Sequence, residues 1–287
     1  MGIDVRVPAT VANLGPGFDC LGVAVGLHLQ VSITKSAQPE VVGGDPAIDL
    51  ADDLTHRAFV SAFAAVGRPA PPVRIEVVAA YPQGRGLGAS AAAIVAGLVG
   101  ARAAGELELS DPDLAELAVR IEGHADNVLP ALFGGLVLAS GGGWLRIAPH
   151  AGIAPLVLVS REGFATTESR RVLPAEVPRA DAVANAAATA ALLAVLSGLE
   201  PAAALMMATA DRLHEPYRLP LLPETADVHR GMRAQGVAAA LSGAGPSVVC
   251  LAPAEALEAA TAIARSLLPP GWQALTPGWD VQGAQVR

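Results

Sequence analysis

Lysine is almost missing from this chain: of its 19 basic residues only Lys35 is a lysine, and it stands far from the glycine-rich stretches. That absence excludes two large classes of phosphate-handling protein. A Walker loop needs a lysine after its last glycine, and a protein kinase needs a strand lysine on the nucleotide phosphates. Aromatic residues are 3% of the 287, whereas 52% are hydrophobic, so the core must be built from Ala, Val and Leu with helices packed closely on sheet. Cys20 and Cys250 are too few and too far apart for a disulfide framework or a metal cluster; they read as free thiols in a reducing cytoplasm. Positive charge is scarce as well. The formal net charge of −8, with no arginine-rich block, argues against a nucleic-acid partner and makes any anion site a local one. The first residues lack the order of a signal peptide. The most apolar stretch, Val183 to Leu199, is interrupted by Asn185 and Thr189 and falls short of the roughly 20 residues of a membrane span, so a buried core helix is expected there.

What is present is glycine in ordered places. Pro82 to Gly97 reads P-Q-G-R-G-L-G-A-S-A-A-A-I-V-A-G. Gly84, Gly86 and Gly88 let the backbone turn tightly beside a ligand, and the small residues that follow favour helix. The first N–H groups of such a helix have no intrahelical partner and carry the positive end of its dipole, which suits a phosphate. A plain glycine turn before a buried alanine helix fits the same residues. Pro8 to Asp19 reads as a shaped loop between strands at Ile3 to Val7 and Val23 to Ile33, from which Asn13 and Asp19 project; both residues could equally serve turns. Asp113 to Glu122 is an amphipathic helix started by Ser110 or Asp111 with Pro112. It runs into G-H-A-D-N-V, where His124, Asp126 and Asn127 offer a ring, a carboxylate and an amide within one turn, though Asp126 or Asn127 could simply cap a helix. Arg170 and Arg218 stand beside turns, and Leu241 to Ser247 is a second glycine turn between strand-like runs. Ala148 to Pro155 is the best boundary, giving domains 1–150 and 151–287 of mixed α+β character.

Three loops in this order resemble the homoserine kinases of the GHMP kinase superfamily. Pro8 to Asp19 is similar to the first motif, Pro82 to Ala91 to the phosphate loop P-x-x-x-G-L-G-S-S-A, and Ser242 to Ser247 to the third motif. Gly123 to Val128, Thr166 to Pro174 (T-x-x-x-R-x-x-L-P) and Glu215 to Arg218 match the homoserine-kinase versions. The resemblance implies an N-terminal nucleotide-binding domain, a C-terminal ferredoxin-like domain and a site between them that phosphorylates L-homoserine with MgATP on the way to threonine. It also implies a cytoplasmic enzyme without membrane partners, and it leaves a homodimer open. Backbone N–H groups would replace the missing lysine. The nucleotide would lie on Pro82, Gly84, Arg85, Gly86, Leu87, Gly88, Ala89, Ser90, Ala91 and Ala92. Magnesium would be held by Ser90 and by Glu116, ten residues before Asp126, with Glu122 in reserve. Arg170, Arg218 and Thr166 would bind the amino acid with Asn13 and Asp19, the two arginines taking its carboxylate and Asp19 with Asn13 its ammonium. His124 and Asn127 would orient its hydroxyl, and Asp126 would be the base or set the field. The chain departs from the family pattern at Ala89, where a first serine is usual, and at Asp53-Leu54, where Asn-Leu is usual near the nucleotide. Thr10 occupies the position where mevalonate-type relatives carry lysine, which argues against that chemistry. The retained set argues against a catalytically silent relative.

Overall fold

The computed structural model describes residues 2–43, 48–79, 81–164 and 166–287, with the side chains of Thr166 and Thr167 outside that description. The N-terminal part begins with a long antiparallel hairpin of β1 (Ile3–Asn13) and β2 (Gly17–Lys35). The sequence pattern suggests a loop over Pro8 to Asp19; the structure corrects this, because Ala9 and Val11 continue the strand and pair with Val25 and Val23, leaving only Leu14 to Pro16 as the turn. Pro8 is accommodated at a register shift between Pro8 and Ala9, where a ladder N–H can be dispensed with. Strands β3 (Glu40–Val42), β4 (Val73–Ala79), β5 (Leu136–Ser140) and β6 (Gly143–Ile147) extend the sheet.

Helices α1 (Leu54–Ala65), α2 (Ala89–Gly105), α3 (Asp111–Glu122) and α4 (Ala125–Phe133) cover this sheet. Their starts differ in a way that matters. Asp53 caps α1, its carboxylate accepting the His56 N–H at 2.9 Å, and a capping box between Ser110 and Asp113 starts α3. By contrast α2 begins after Gly88 and α4 after His124, and neither has a side-chain cap. Along α2 the small residues bring the helix against α1 and the sheet: Gly97 lies on Thr55 and Ala58, and Gly100 on Ile33.

The C-terminal part contains β7 (Ile153–Val159), β8 (Ala238–Leu241), β9 (Val248–Pro253) and β10 (Gln273–Leu275), antiparallel in the order β10-β7-β9-β8. Its helices are α5 (Thr166–Arg171), α6 (Arg179–Leu196), α7 (Leu205–Ala208), α8 (Glu215–Arg218), α9 (Pro223–Ala234) and α10 (Leu257–Leu267). With α9 and α10 on one face, the strands follow the β-α-β-β-α-β course of a ferredoxin-like domain. Alternation along β7 explains the two cores: Leu156 and Leu158 face α9 and α10, whereas Val157 and Val159 join Ala9, Val11 and Leu87 of the N-terminal part in one cluster.

Two expectations change here. The second domain does not run to residue 287, because the tail returns to the first sheet: Trp279 bridges to Val25, Asp280 Oδ2 lies 2.8 Å from His28 Nε2, and β11 (Gln285–Val286) pairs with β1. The apolar stretch expected as a buried core helix is α6, which buries only one stripe, Asn185, Ala188, Leu192, Val195 and Leu196. It is long and apolar enough to cross a membrane, yet its polar residues brace the first turn, Asn185 Nδ2 and Thr189 Oγ1 both donating to the Pro16 carbonyl.

Candidate active site

The β1–β2 turn, the loop before α2, the start of α4, α5, α8 and the β8–β9 turn converge on one cleft of about 160 Å³ between the two parts. On its first wall, Gly86 and Gly88 adopt left-handed conformations that only glycine takes freely. A side chain on Gly86 would run into the Ser242 and Gly245 carbonyls, and one on Gly88 into the Thr10 hydroxyl and Asn127. Ser242 Oγ donates to the Gly86 carbonyl at 2.6 Å, closing the phosphate loop on the third motif. The N–H groups of Ala89, Ser90 and Ala91 have no backbone acceptor among the described residues, so the uncapped α2 terminus opens into the cleft as an anion site.

Not every expected nucleotide contact lines this wall. Gly84, Gly86, Leu87, Gly88, Ala89 and Ser90 do. Ala91 and Ala92 turn their side chains into the core, and the Ala92 N–H is committed to the Gly88 carbonyl. Pro82 is exposed outside the cleft, and Arg85 reaches away from it to the Arg161 carbonyl at 2.6 Å. Asp53, as the cap of α1, has its carboxylate occupied.

The expected metal pair, Ser90 and Glu116, does not meet in the cleft, whereas the reserve residue Glu122 does line it. Glu116 is exposed and borders an adjoining cavity of about 710 Å³ between α3 and the β5–β6 hairpin, which shares Asp19 and His124 with the cleft. It does not line the cleft that holds Ser90. Glu122, at the end of the same helix, receives the Ser90 hydroxyl at 2.6 Å inside the cleft. Burial raises the Glu122 pKa, partly offset by the Ser90 hydrogen bond. The hydroxyl and carboxylate form a hard-oxygen pair beside the free N–H groups, a donor set suited to Mg²⁺ that shares its coordination with phosphates. Among the described residues no three His, Cys, Asp or Glu side chains gather as an all-protein cage.

The opposite wall carries Asp126, Asn127 and His124. Asp126 and Asn127 do not cap α4; they lie in its first turn with His124 before it. Asp126 is 4% exposed, and burial, reinforced by the charge of Asp19 and opposed by Arg170, pushes its pKa up to about 6. Thr10, not among the expected site residues, donates its hydroxyl to Asn127 Oδ1 at 2.7 Å and so turns the amide Nδ2 toward Asp126. No spacing rule connects residues 117 positions apart. We expect Gly88→Ala, which forces a left-handed alanine into this junction, to destabilise the fold by about 1–3 kcal/mol and to lower kcat. Thermal unfolding and steady-state kinetics check it.

At the far end Arg170 holds Asp19 through two hydrogen bonds of 3.0 and 2.8 Å. The hydrogen bond to Asp19 raises the pKa of Arg170. Arg218 is 1% exposed; burial, then the neighbouring Arg170 charge, lowers its pKa. Asn13 acts as a brace rather than a free ligand: Nδ2 donates to the Gly243 carbonyl at 2.8 Å and Oδ1 accepts the Asp19 N–H at 3.0 Å. Both Asn13 and Asp19 have positive φ, strain concentrated at the site. The side chain of Thr166 lies outside the described residues. Phe164 and the Gly243–Gly245 backbone complete the lining and were not among the expected residues.

The chain matches the family models of the GHMP kinases N terminal domain over residues 53–135 and of the GHMP kinases C terminal over residues 179–269. It is 40% identical to the homoserine kinase of Clavibacter michiganensis, an alignment covering 99% of this chain and 94% of that protein. It is 41% identical to the homoserine kinase of Moorella thermoacetica over 85% of this chain and 86% of that one. The crystal structure of homoserine kinase from Cytophaga hutchinsonii superposes with a TM-score of 0.88 at 26% identity, covering 100% of this chain and 97% of that one. Streptococcus pneumoniae phosphomevalonate kinase, at 13% identity and a TM-score of 0.75, shares the fold. Family models and relatives agree, and the chain belongs to the homoserine kinases of the GHMP kinase superfamily.

Proposed function

We propose that this cleft transfers the terminal phosphoryl group of ATP to the side-chain hydroxyl of L-homoserine, forming O-phospho-L-homoserine for threonine synthesis. The observation that carries the reading is the meeting, in one cleft, of an uncapped helix terminus, a buried carboxylate and two arginines. These are the three groups that a phosphate chain, a reacting hydroxyl and an amino-acid carboxylate require. The N–H groups of Ala89 to Ala91 hold the phosphates. Ser90 and Glu122 would hold Mg²⁺, which supplies charge neutralisation on the phosphate oxygens. Arg170 and Arg218 take the acceptor carboxylate, a planar anion suited to guanidinium forks, and Asp19 takes the ammonium. A zwitterion thus matches both halves of the existing Asp19–Arg170 pair.

Phosphoryl transfer passes through a loose transition state, so positioning and electrostatics carry most of the rate. With a pKa of about 6, Asp126 is largely ionised at pH 7.5; it accepts a hydrogen bond from the acceptor hydroxyl and receives the proton as the phosphoryl group arrives. Asn127, set by Thr10, keeps that carboxylate in place, and His124 closes the wall beside it. Coupled ADP release with L-homoserine, 4-hydroxybutyrate and mevalonate tests the assignment. Turnover is expected on homoserine, weakly on the acid lacking the amine, and not on mevalonate. Arg170→Ala is expected to raise the KM for homoserine about tenfold or more while leaving the KM for ATP nearly unchanged. An unaltered homoserine KM removes Arg170 from the acceptor site.

A further inference from the structure

Arg218 reaches the cleft from a four-residue helix, and its guanidinium needs an external frame to point at an acceptor. Its Nε donates to the Ser169 carbonyl at 3.2 Å and its Nη1 to His214 Nδ1 at 3.2 Å, with the Gly243 carbonyl farther off at 3.4 Å. Nη2 hydrogen-bonds none of the described residues. His214 is 0% exposed, and its Nε2 lies 2.8 Å from the Gly15 carbonyl. A carbonyl only accepts, so Nε2 carries the proton and Nδ1 presents a lone pair to the arginine. The ring is therefore an oriented acceptor locked between the β1–β2 turn and Arg218. The Asp211 carboxylate fixes the turn that delivers it, accepting the N–H groups of His214 at 2.8 Å and Glu215 at 2.7 Å.

Phe18 completes the frame. Its ring stacks on His214, with centroids 5.3 Å apart, and presents its π system to Arg218 at 5.1 Å and Arg170 at 6.0 Å. Two like-charged guanidiniums thus converge on one cavity with an aromatic ring near both. Asp19 hydrogen-bonds Arg170, whereas no carboxylate hydrogen-bonds Arg218 among the described residues. The ring quadrupole and the His214 lone pair join the Ser169 and Gly243 carbonyls and the more distant carboxylates in compensating the buried Arg218, and they are the side-chain groups in direct contact with it.

We infer that His214 and Phe18 are positioning residues that aim the paired arginines and thereby set the enzyme's preference for an acceptor bearing a carboxylate. The inference rests on the reading of the cleft as the homoserine site. Neither residue touches the reacting atoms, so their removal changes which acceptor is chosen more than the chemistry itself.

The test compares kcat/KM for L-homoserine with that for L-homoserinamide, which replaces the carboxylate by a neutral carboxamide, in wild type, His214→Leu, His214→Asn and Phe18→Leu. The wild-type ratio favours homoserine. His214→Leu and Phe18→Leu are expected to shrink that ratio about tenfold, chiefly through the KM for homoserine, with the KM for ATP unchanged. His214→Asn, whose side-chain oxygen can replace Nδ1 as acceptor, is expected to keep most of the ratio. If both leucine variants lose activity equally on the two acceptors, or keep the wild-type ratio, the residues are structural and the inference is overturned. Should His214→Leu fail to fold, Phe18→Leu decides on the same ratio. Absence of wild-type turnover on homoserine would instead overturn the functional reading itself.

Discussion

Asp126→Asn is expected to reduce kcat by about 10²–10⁴-fold and, at the same time, to make the unliganded protein more stable at neutral pH. The two effects have one cause. Burial and the Asp19 charge raise the Asp126 pKa from 3.8 to about 6, so the folded protein holds its proton more tightly than the unfolded chain. A raised carboxylate pKa means that native stability declines as pH climbs through the window between 3.8 and about 6, and the full penalty is present above it. At 1.36 kcal/mol per pKa unit, the penalty is about 1–3 kcal/mol at pH 7.5. The asparagine variant is free of it. Urea unfolding should therefore show the variant more stable than wild type at pH 7.5 and indistinguishable at pH 4. A variant that is less stable at pH 7.5 would show that Asp126 is a structural hydrogen-bonding group rather than a charge held at a cost for function. Wild-type kcat/KM for homoserine should also decline as pH falls through about 6, a limb that the variant lacks.

The second large effect separates two glutamates of α3. Glu122→Gln is expected to lower kcat by about 10²–10³-fold and to raise the Mg²⁺ concentration required for half-maximal rate, as befits a group acting on transition-state charge. Glu116→Gln, on the exposed middle of the helix, is expected to leave both unchanged. Magnesium titrations of steady-state activity check the pair. The opposite pattern, with Glu116→Gln inactive and Glu122→Gln normal, would return the metal to Glu116 and break the link between Ser90 and Glu122.

That contrast also shows what the chain reveals before it folds. Counting ten residues back from Asp126 selects Glu116, but a helix turns its side chains by about 100° per residue, so sequence distance is a poor measure of direction. The useful signal lay in the helix end: Glu122 precedes the αL residue Gly123, which stops α3 beside the phosphate loop. The phosphate loop itself was legible because glycine spacing and an uncapped alanine helix are local properties. The same local pattern extends the expected contacts to Ala92, whose side chain belongs to the core and whose N–H is committed to the Gly88 carbonyl, and to Ala91, which offers the cleft only its N–H. Nothing local could reveal that Thr10 sets Asn127, that Asp19 is held by Arg170, or that Asn13 is occupied by Gly243 and Asp19. Thr10 meets Asn127 only when α4 packs on the first sheet, and the bonds from Asp19 to Arg170 and from Asn13 to Gly243 form only when the two parts come together. The return of the tail to the first sheet is hidden for a related reason, since β11 is too short to show a period and is fixed by pairing with β1.

The cleft's chemistry is tested most directly by phosphorus-31 NMR of the purified protein with ATP, Mg²⁺ and L-homoserine. One new phosphomonoester signal per ADP formed is expected, coupled to the side-chain methylene protons of homoserine. ADP accompanied only by inorganic phosphate, or no ADP at all, would contradict it.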